Sequence, residues 1–420
     1  MHPIFKHMRV LIINTSERIG GAAIAANRLM EALKKNGVSA KMLVRDKQTD
    51  RITVHSVERS WIQPVKFLWE RLCIFLTNRF NRKNLFTVDI ANTGTDVTRH
   101  REFQRADVIH LHWVNQSFLS LADLNKVLHA GKPVVITMHD TWYFTGICHY
   151  ADDCTRYRTR CYQCPAIGGG FLVDIAQKVF LQKQRIYRDA PITFVGCSQW
   201  MADLARTSLL TQGHPVLSIP NPIDTDFFQP LDQQLARMQF GLPLDKHLLL
   251  FTSQRITDKR KGFPYLAEAI RIINLQYPDI AQRLGIVVVG KDAEKVQHLV
   301  ETTIHPISYV SEPEKMVQLY NAVDLYVTPS LQDNLPNTIM EALSCGTPCV
   351  GFHIGGIPEM IDHQANGYVA RYRDAQDFAN GIVWTLRADR DTLTRLARNK
   401  VMTTYSESAV ASQYIKVYES

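Results

Sequence analysis

Short apolar runs of strand length alternate with helical patterns along this chain, and the alternation occurs twice over. RVLIINTS, SAKMLVR, ADVIHLHW, PVVITMHD and TFVGCS read as strands in the first half, with helical periodicity near 22–35 and 119–129. HLLLFTSQ, LGIVVVG, DLYVTPS and TPCVGF repeat the grammar in the second half, with helices expected near 264–275, 293–302 and over TIMEALSC. Strands alternating with helices predict parallel sheets covered on both faces, here an α/β chain of two doubly wound, Rossmann-like domains facing across a cleft. SIPNPIDTDFFQPLD breaks the periodicity, so the expected domains are 1–218 and 219–400, with 401–420 a helix packing back on the first. At 420 residues the chain is long enough for two cores.

In such sheets ligands bind beyond the carboxyl ends of the strands, and the conspicuous residues fall there. Gly20 and Gly21 follow the first strand at the mouth of a helix, either a plain turn or a backbone approach to phosphate. FTSQRITDKRKGF carries Arg255, Lys259, Arg260 and Lys261, a solvated basic loop or a clamp on a diphosphate whose charge grows as it departs. SLQDNLPNTIMEALSCGTP holds Asp333 in a strand-to-helix loop and Glu341 two turns into the helix. A carboxylate accepting two hydrogen bonds suits the vicinal hydroxyls of a sugar, although Glu341 also reads as a solvated helix residue. Gly355 and Gly356 close the next strand, and His139 with Asp140 ends PVVITMHD. His110 and His112 alternate on one strand in a supporting role. The pair Asp224 and Asp226 is assigned to the linker rather than to a metal.

The order of these motifs resembles the family 4 glycosyltransferases of the GT-B fold, carried by IGGA, TMHD, IPNPID, Arg255 with Lys261-Gly262, and DNLPNTIMEALSCGTPCVGFHIGGIPEMI. The resemblance implies retaining transfer of a hexose from a nucleotide-diphosphate sugar to a glycan or lipid-linked acceptor in surface polysaccharide synthesis, with no cofactor required. Arg255 and Lys261 would hold the donor diphosphate, and Gly20 and Gly21 would approach it. Glu341 would take the ribose, and Asp333, where the family usually has Glu, the hexose. Asn334, Leu335, Asn337 and Thr338 would turn their backbone toward the phosphates, Tyr309 and Val310 would border the base, and His139 would support the transition state. Asp333 is shorter than Glu by about 1.5 Å, and Pro336 removes an N–H where the family often has Gly. The alternatives are a non-catalytic nucleotide-sugar binder and a GT-B epimerase.

The formal net charge of +8 favours acidic partners, but no nucleic-acid recognition motif or stacking platform is visible. The N-terminal apolar run is too short for a secretory signal core, and the chain reads as cytoplasmic, with contact at the inner membrane face left open. Cys148, Cys154, Cys161 and Cys164 cluster, as ligands of a structural zinc or as thiols. RSWIQPVKFLWERLCIFLTNRFNRKNLF sets Val65, Leu68, Leu72, Phe75, Leu76 and Phe80 at helical spacing among Lys66, Arg71, Arg79, Arg82 and Lys83. Such a segment either lies in a bilayer interface or packs on the first domain.

Overall fold

The computed structural model of the protein describes residues 8–57, 61–167 and 174–420. Among the described residues, seven strands form the first sheet: β1 (Arg9–Ser16), β2 (Ser39–Asp46), β3 (Val54–Ser56), β4 (Val108–Leu111), β5 (Val134–Met138), β6 (Ile192–Gly196) and β7 (Val216–Ser218). Their order is β3-β2-β1-β4-β5-β6-β7, parallel throughout. Six more form the second: β8 (His247–Arg255), β9 (Leu284–Lys291), β10 (Thr303–Ile307), β11 (Leu325–Thr328), β12 (Cys349–Phe352) and β13 (Gly367–Ala370). Their order is β10-β9-β8-β11-β12-β13, again parallel. Each sheet therefore winds outward from its first strand and returns on that strand's other side. The reversal creates a switch point between β1 and β4 and another between β8 and β11.

The apolar runs are continuous because both sheet faces are covered. In β1, Leu11 and Ile13 join one core layer with Ile109 and Ile136, while Val10 and Ile12 join the opposite layer with Val108 and Val135. The latter layer is completed by Val410, Ala411, Tyr414 and Tyr418 of the helix Glu407–Glu419. The second sheet buries Leu249, Ile286, Val288, Val327 and Val350 in its own core.

Two compact units result, one running to Pro222 and resuming at Val410–Ser420, the other Ile223–Ala409. The division falls at Pro222 rather than 218 because Ile223 is already tied to the second unit. Its N–H donates to the Tyr405 carbonyl at 2.9 Å, and Arg398 donates to the carbonyls of Thr225 and Phe228, each at 2.7 Å. The helix Arg390–Thr404 stays with that unit, so the returning segment begins at Val410, not at 401. Asp224, the linker acid, caps a turn by accepting from the N–H groups of Asp226 and Phe227, each at 3.0 Å.

The helix expected over 293–302 is instead a 3₁₀ stretch, Ala293–Leu299. It buries only Ala293 and Val296, three residues apart, which is the 3₁₀ rather than the α repeat. β3 and β7, at the sheet edges, have three residues each, too few for a period-two pattern to register.

Candidate active site

The second unit gathers Lys261, Asp333, Gly355 and Gly356 at the β8/β11 switch point. Beyond β8, the Asp258 carboxylate accepts from the Arg260 N–H at 3.0 Å and caps a 3₁₀ turn, Lys259–Lys261. That turn sends Lys261 to the loop after β11, where its Nζ lies 2.7 Å from Asp333 Oδ2. Ser330 Oγ donates to the same oxygen at 3.4 Å. Gly262 follows at φ 71, and a Cβ there would stand 1.8 Å from the Pro329 carbonyl oxygen. On the far side, Gly355 has φ +58, and its Cβ would stand 1.7 Å from the Asp333 carbonyl oxygen. The Gly356 N–H donates to the Asn334 carbonyl at 2.6 Å, and the Leu331 N–H to the Arg260 carbonyl at 2.7 Å. Three strand-end loops are thus laced backbone to backbone, with Asp333 in the middle. Only glycine permits that approach.

Glu341 is not a solvated helix residue. It is buried on the helix Asn337–Ser344, and the Tyr320 hydroxyl donates to its Oε2 at 2.8 Å. Burial, then Glu341 itself, pushes the Tyr320 phenol well up, so it remains a donor. Asn334 and Leu335 are buried in the turn before the helix, whereas Asn337 and Thr338 form its half-buried first turn. That turn's N–H groups lack acceptors within the helix's own ladder and face outward along its dipole. Arg255 belongs to a second group. It follows a bulge after Thr252, pairs across the ladder with Lys291, and is exposed. Lys291 Nζ lies 6.0 Å from the ring centre of Tyr309, which is also exposed, while Val310 is half-buried.

In the first unit, Gly20 takes φ 93 and ends the β1 loop, and Gly21 opens the helix Gly21–Lys35. The buried Glu17 carboxylate steadies this loop, accepting from the N–H groups of Gln48 and Thr49 at 2.7 and 2.9 Å and from the Thr49 hydroxyl. Burial alone would raise the Glu17 carboxyl, but these donors hold it below its ordinary value.

His139 lies just past β5, and its Nε2 is 2.8 Å from Nδ1 of His112, just past β4. Behind them His110 bonds the Tyr418 hydroxyl at 2.7 Å and Thr137 Oγ1 at 2.8 Å. Burial pushes His139 down to about 4 and His110 down to about 3, and carries His112 well below its ordinary value. All three are neutral imidazoles near pH 7, so the His112–His139 contact is one ring N–H donating to one ring lone pair. The next residue, Asp140, accepts from the Trp113 indole at 2.8 Å, the Trp142 N–H at 2.9 Å and His149 Nδ1 at 2.7 Å.

Two family models match, "Glycosyl transferases group 1" over residues 246–388 and "Glycosyltransferase Family 4" over 19–227. The chain belongs to the group 1, family 4 glycosyltransferases. It is 22% identical over 435 residues to the putative colanic acid biosynthesis glycosyl transferase WcaC of Escherichia coli K12, covering 98% of this chain and 100% of that one. It is 27% identical over 196 residues to the D-inositol 3-phosphate glycosyltransferase of Saccharomonospora viridis, 44% of this chain and 45% of that protein. The chain thus spans about half the length of several curated relatives that it matches. Among solved structures, Anabaena HepE in complex with UDP-glucose aligns with a TM-score of 0.64 at 16% identity, over 98% of this chain and all of that one, and supports the fold.

The four thiols of the cysteine-rich loop act on one another, since Cys164, Cys161 and Cys154 each add to the upward pull of burial on Cys148. All four thiols are free, and among the described residues no group of three or more His, Cys, Asp or Glu side chains gathers to hold a metal ion. Burial pushes the Cys148 thiol up to about 12 and Cys161 up to about 11, which keeps both protonated. Lys183, fully buried on the helix Ile175–Tyr187, fastens the segment that leads into the loop. Its ammonium donates to the carbonyls of Trp142, Thr145 and Gly146 and sits 3.5 Å from the Trp142 ring centre. Burial pushes it down to about 7, against the pull of Asp89. Lys183, Tyr320 and Glu17 went unread in the sequence, because each acts on residues far away along the chain.

Proposed function

We propose that this glycosyltransferase transfers a hexose from a nucleotide-diphosphate sugar, with retention, to a glycan or lipid-linked acceptor in surface polysaccharide synthesis. The observation that carries the reading is the Lys261–Asp333 pair, held at 2.7 Å where three strand-end loops meet at a switch point. A paired ammonium and carboxylate at the carboxyl end of a parallel sheet offers one charge to a departing diphosphate and two lone pairs to sugar hydroxyls. Arg255 adds a second cation to the diphosphate, and Tyr309 with Val310 borders the base. Asn334, Leu335, Asn337 and Thr338 present backbone to the phosphates. Glu341, set by Tyr320, turns its carboxylate to the ribose. In the first unit, Gly20 and Gly21 are assigned to phosphate approach and His139 to the reacting sugar, as a neutral ring that polarises without competing for the anion.

The similarity to WcaC along its whole length supports a polysaccharide acceptor, and the UDP-glucose complex of HepE supports a nucleotide-sugar donor. As the sugar–diphosphate bond loosens, charge collects on the leaving phosphate and is met by Lys261, Arg255 and backbone N–H groups. Retention places the acceptor hydroxyl on the face the leaving group vacates.

The test is nucleoside diphosphate release from a panel of nucleotide sugars. Lys261→Ala should lower turnover by about a hundred-fold. It should barely move the unfolding midpoint, because a partly exposed ion pair contributes less than about 1 kcal/mol. Unchanged turnover removes Lys261 from the site, and no release from any donor favours the non-catalytic reading.

A further inference from the structure

The helix Ile62–Thr77 is built inside out. Its buried residues are Glu70, Arg71 and Ile74, while Ile62, Val65, Leu68, Trp69, Leu72 and Leu76 all stand exposed. At 100° per residue those six fall within one stripe of about 120°, opposite the buried three. The inward charges are locked, since Arg71 Nη2 lies 2.9 Å from Glu70 and 3.5 Å from Asp89, and Arg71 Nη1 donates to the carbonyls of Leu85 and Val88. The stripe is therefore the helix's fixed outer face. Arg71, expected among the surface cations, is instead the anchor that turns the apolar side outward.

Next to the stripe comes a shaped basic turn. Asn78 Nδ2 donates to the carbonyls of Asn81 and Lys83 at 3.0 and 2.8 Å, which holds Arg79, Arg82 and Lys83 in an exposed loop beside Phe80 and Phe86, 68% and 65% exposed. Between Trp61 and Val88 the sequence has one acidic residue, Glu70, and that one is buried. An exposed apolar face of this extent marks an interaction surface.

We propose that this face seats the protein on an anionic lipid bilayer, with the apolar stripe at the level of the acyl boundary and Arg79, Arg82 and Lys83 among the headgroups. Aliphatic and Trp side chains flanked by cations match an interface of hydrocarbon beneath negative charge. A second copy of the chain fits less well, because its matching face would bring cations against a surface with no exposed carboxylate. The proposal stands apart from the assignment of the active site. Among the described residues no helix is long and apolar enough to cross a membrane, so attachment would be peripheral.

The test is flotation of the full chain with vesicles of phosphatidylcholine containing about 30% phosphatidylglycerol, at low and high salt. Binding is expected at low salt and should weaken with salt. The triple change Arg79→Gln, Arg82→Gln, Lys83→Gln should lower the partition coefficient by about a hundred-fold. Leu68→Glu with Leu72→Glu should abolish binding and leave the unfolding midpoint and donor turnover unchanged, because both positions already face water. Absence of binding at low salt overturns the proposal, as does binding unmoved by either variant. A dimer by sedimentation equilibrium that Leu68→Glu with Leu72→Glu dissociates, without vesicle binding, overturns it in favour of a second copy.

Discussion

Replacing Gly355 by alanine tests whether the site depends on backbone lacing or only on its side chains. Two costs arise. A Cβ at φ +58 meets the left-handed penalty, about 1–2 kcal/mol. It would also lie 1.7 Å from the Asp333 carbonyl oxygen and 2.9 Å from its carbon. Ordinary C···O contact begins near ~3.3 Å, so the Asp333 loop must retreat by about 1.5 Å. That retreat draws the Asp333 carboxylate off Lys261 Nζ, now 2.7 Å away. A misplacement of about 1 Å at a reacting centre costs about a hundred-fold in rate. Gly37→Ala supplies the control, since its φ is +85 but its Cβ would meet nothing within 4 Å. Gly37→Ala should lose about 1–2 kcal/mol in urea unfolding, and Gly355→Ala, which adds the clash, more than that. Only Gly355→Ala should lose turnover, measured as nucleoside diphosphate release. Equal turnover in the two variants would refute the lacing argument and leave Gly355 as a turn residue.

The Asp140–His149 pair should give stability a pH dependence of defined sign. Burial raises the Asp140 carboxyl but His149 and two N–H donors outweigh it, so its stabilisation is present above the unfolded carboxyl value and fades as pH falls through the folded one. Burial lowers His149 but Asp140 outweighs it, so its share is full below about 6.5 and fades as pH rises through the higher folded value. The midpoint gap between wild type and His149→Gln should then be widest near pH 5–6 and narrow toward about pH 9; a gap independent of pH sinks the ion pair. Lys183→Met should cost about 3 kcal/mol or more, because three buried carbonyls lose their donor. A loss under about 1 kcal/mol in urea unfolding would mean that something else holds residues 142–146.

The alternation of runs was legible because buried parallel strands must be apolar throughout, and the loops at their ends could be placed without coordinates. Lys261, Asp333 and Glu341 were located that way, beyond the ends of β8 and β11. What stayed hidden was pairing at long range. Tyr320 precedes Glu341 by 21 residues and was an ordinary helix aromatic until its hydroxyl met the carboxylate. His112, read as supporting, proved to be the direct partner of His139, which a strand pattern cannot show. Lys183, 19 residues beyond the last clustered cysteine, gave no sign in the sequence that it fastens Thr145 and Gly146 ahead of that loop. The stripe on Ile62–Thr77 had correct periodicity and an undecided side, because periodicity locates a face without saying whether protein or solvent lies against it.

The return of Val410–Ser420 to the first unit makes the second unit an insertion within it. On a ribosome adding about 5–20 residues per second, β1 and its neighbours are made long before the helix that covers them, with the roughly 190 residues of Ile223–Ala409 in between. For about 10–40 s the layer formed by Val10, Ile12, Val108 and Val135 lacks Tyr414 and Tyr418. During synthesis the second unit can mature alone, while the first must wait, sticky and unfinished, for the segment that closes it.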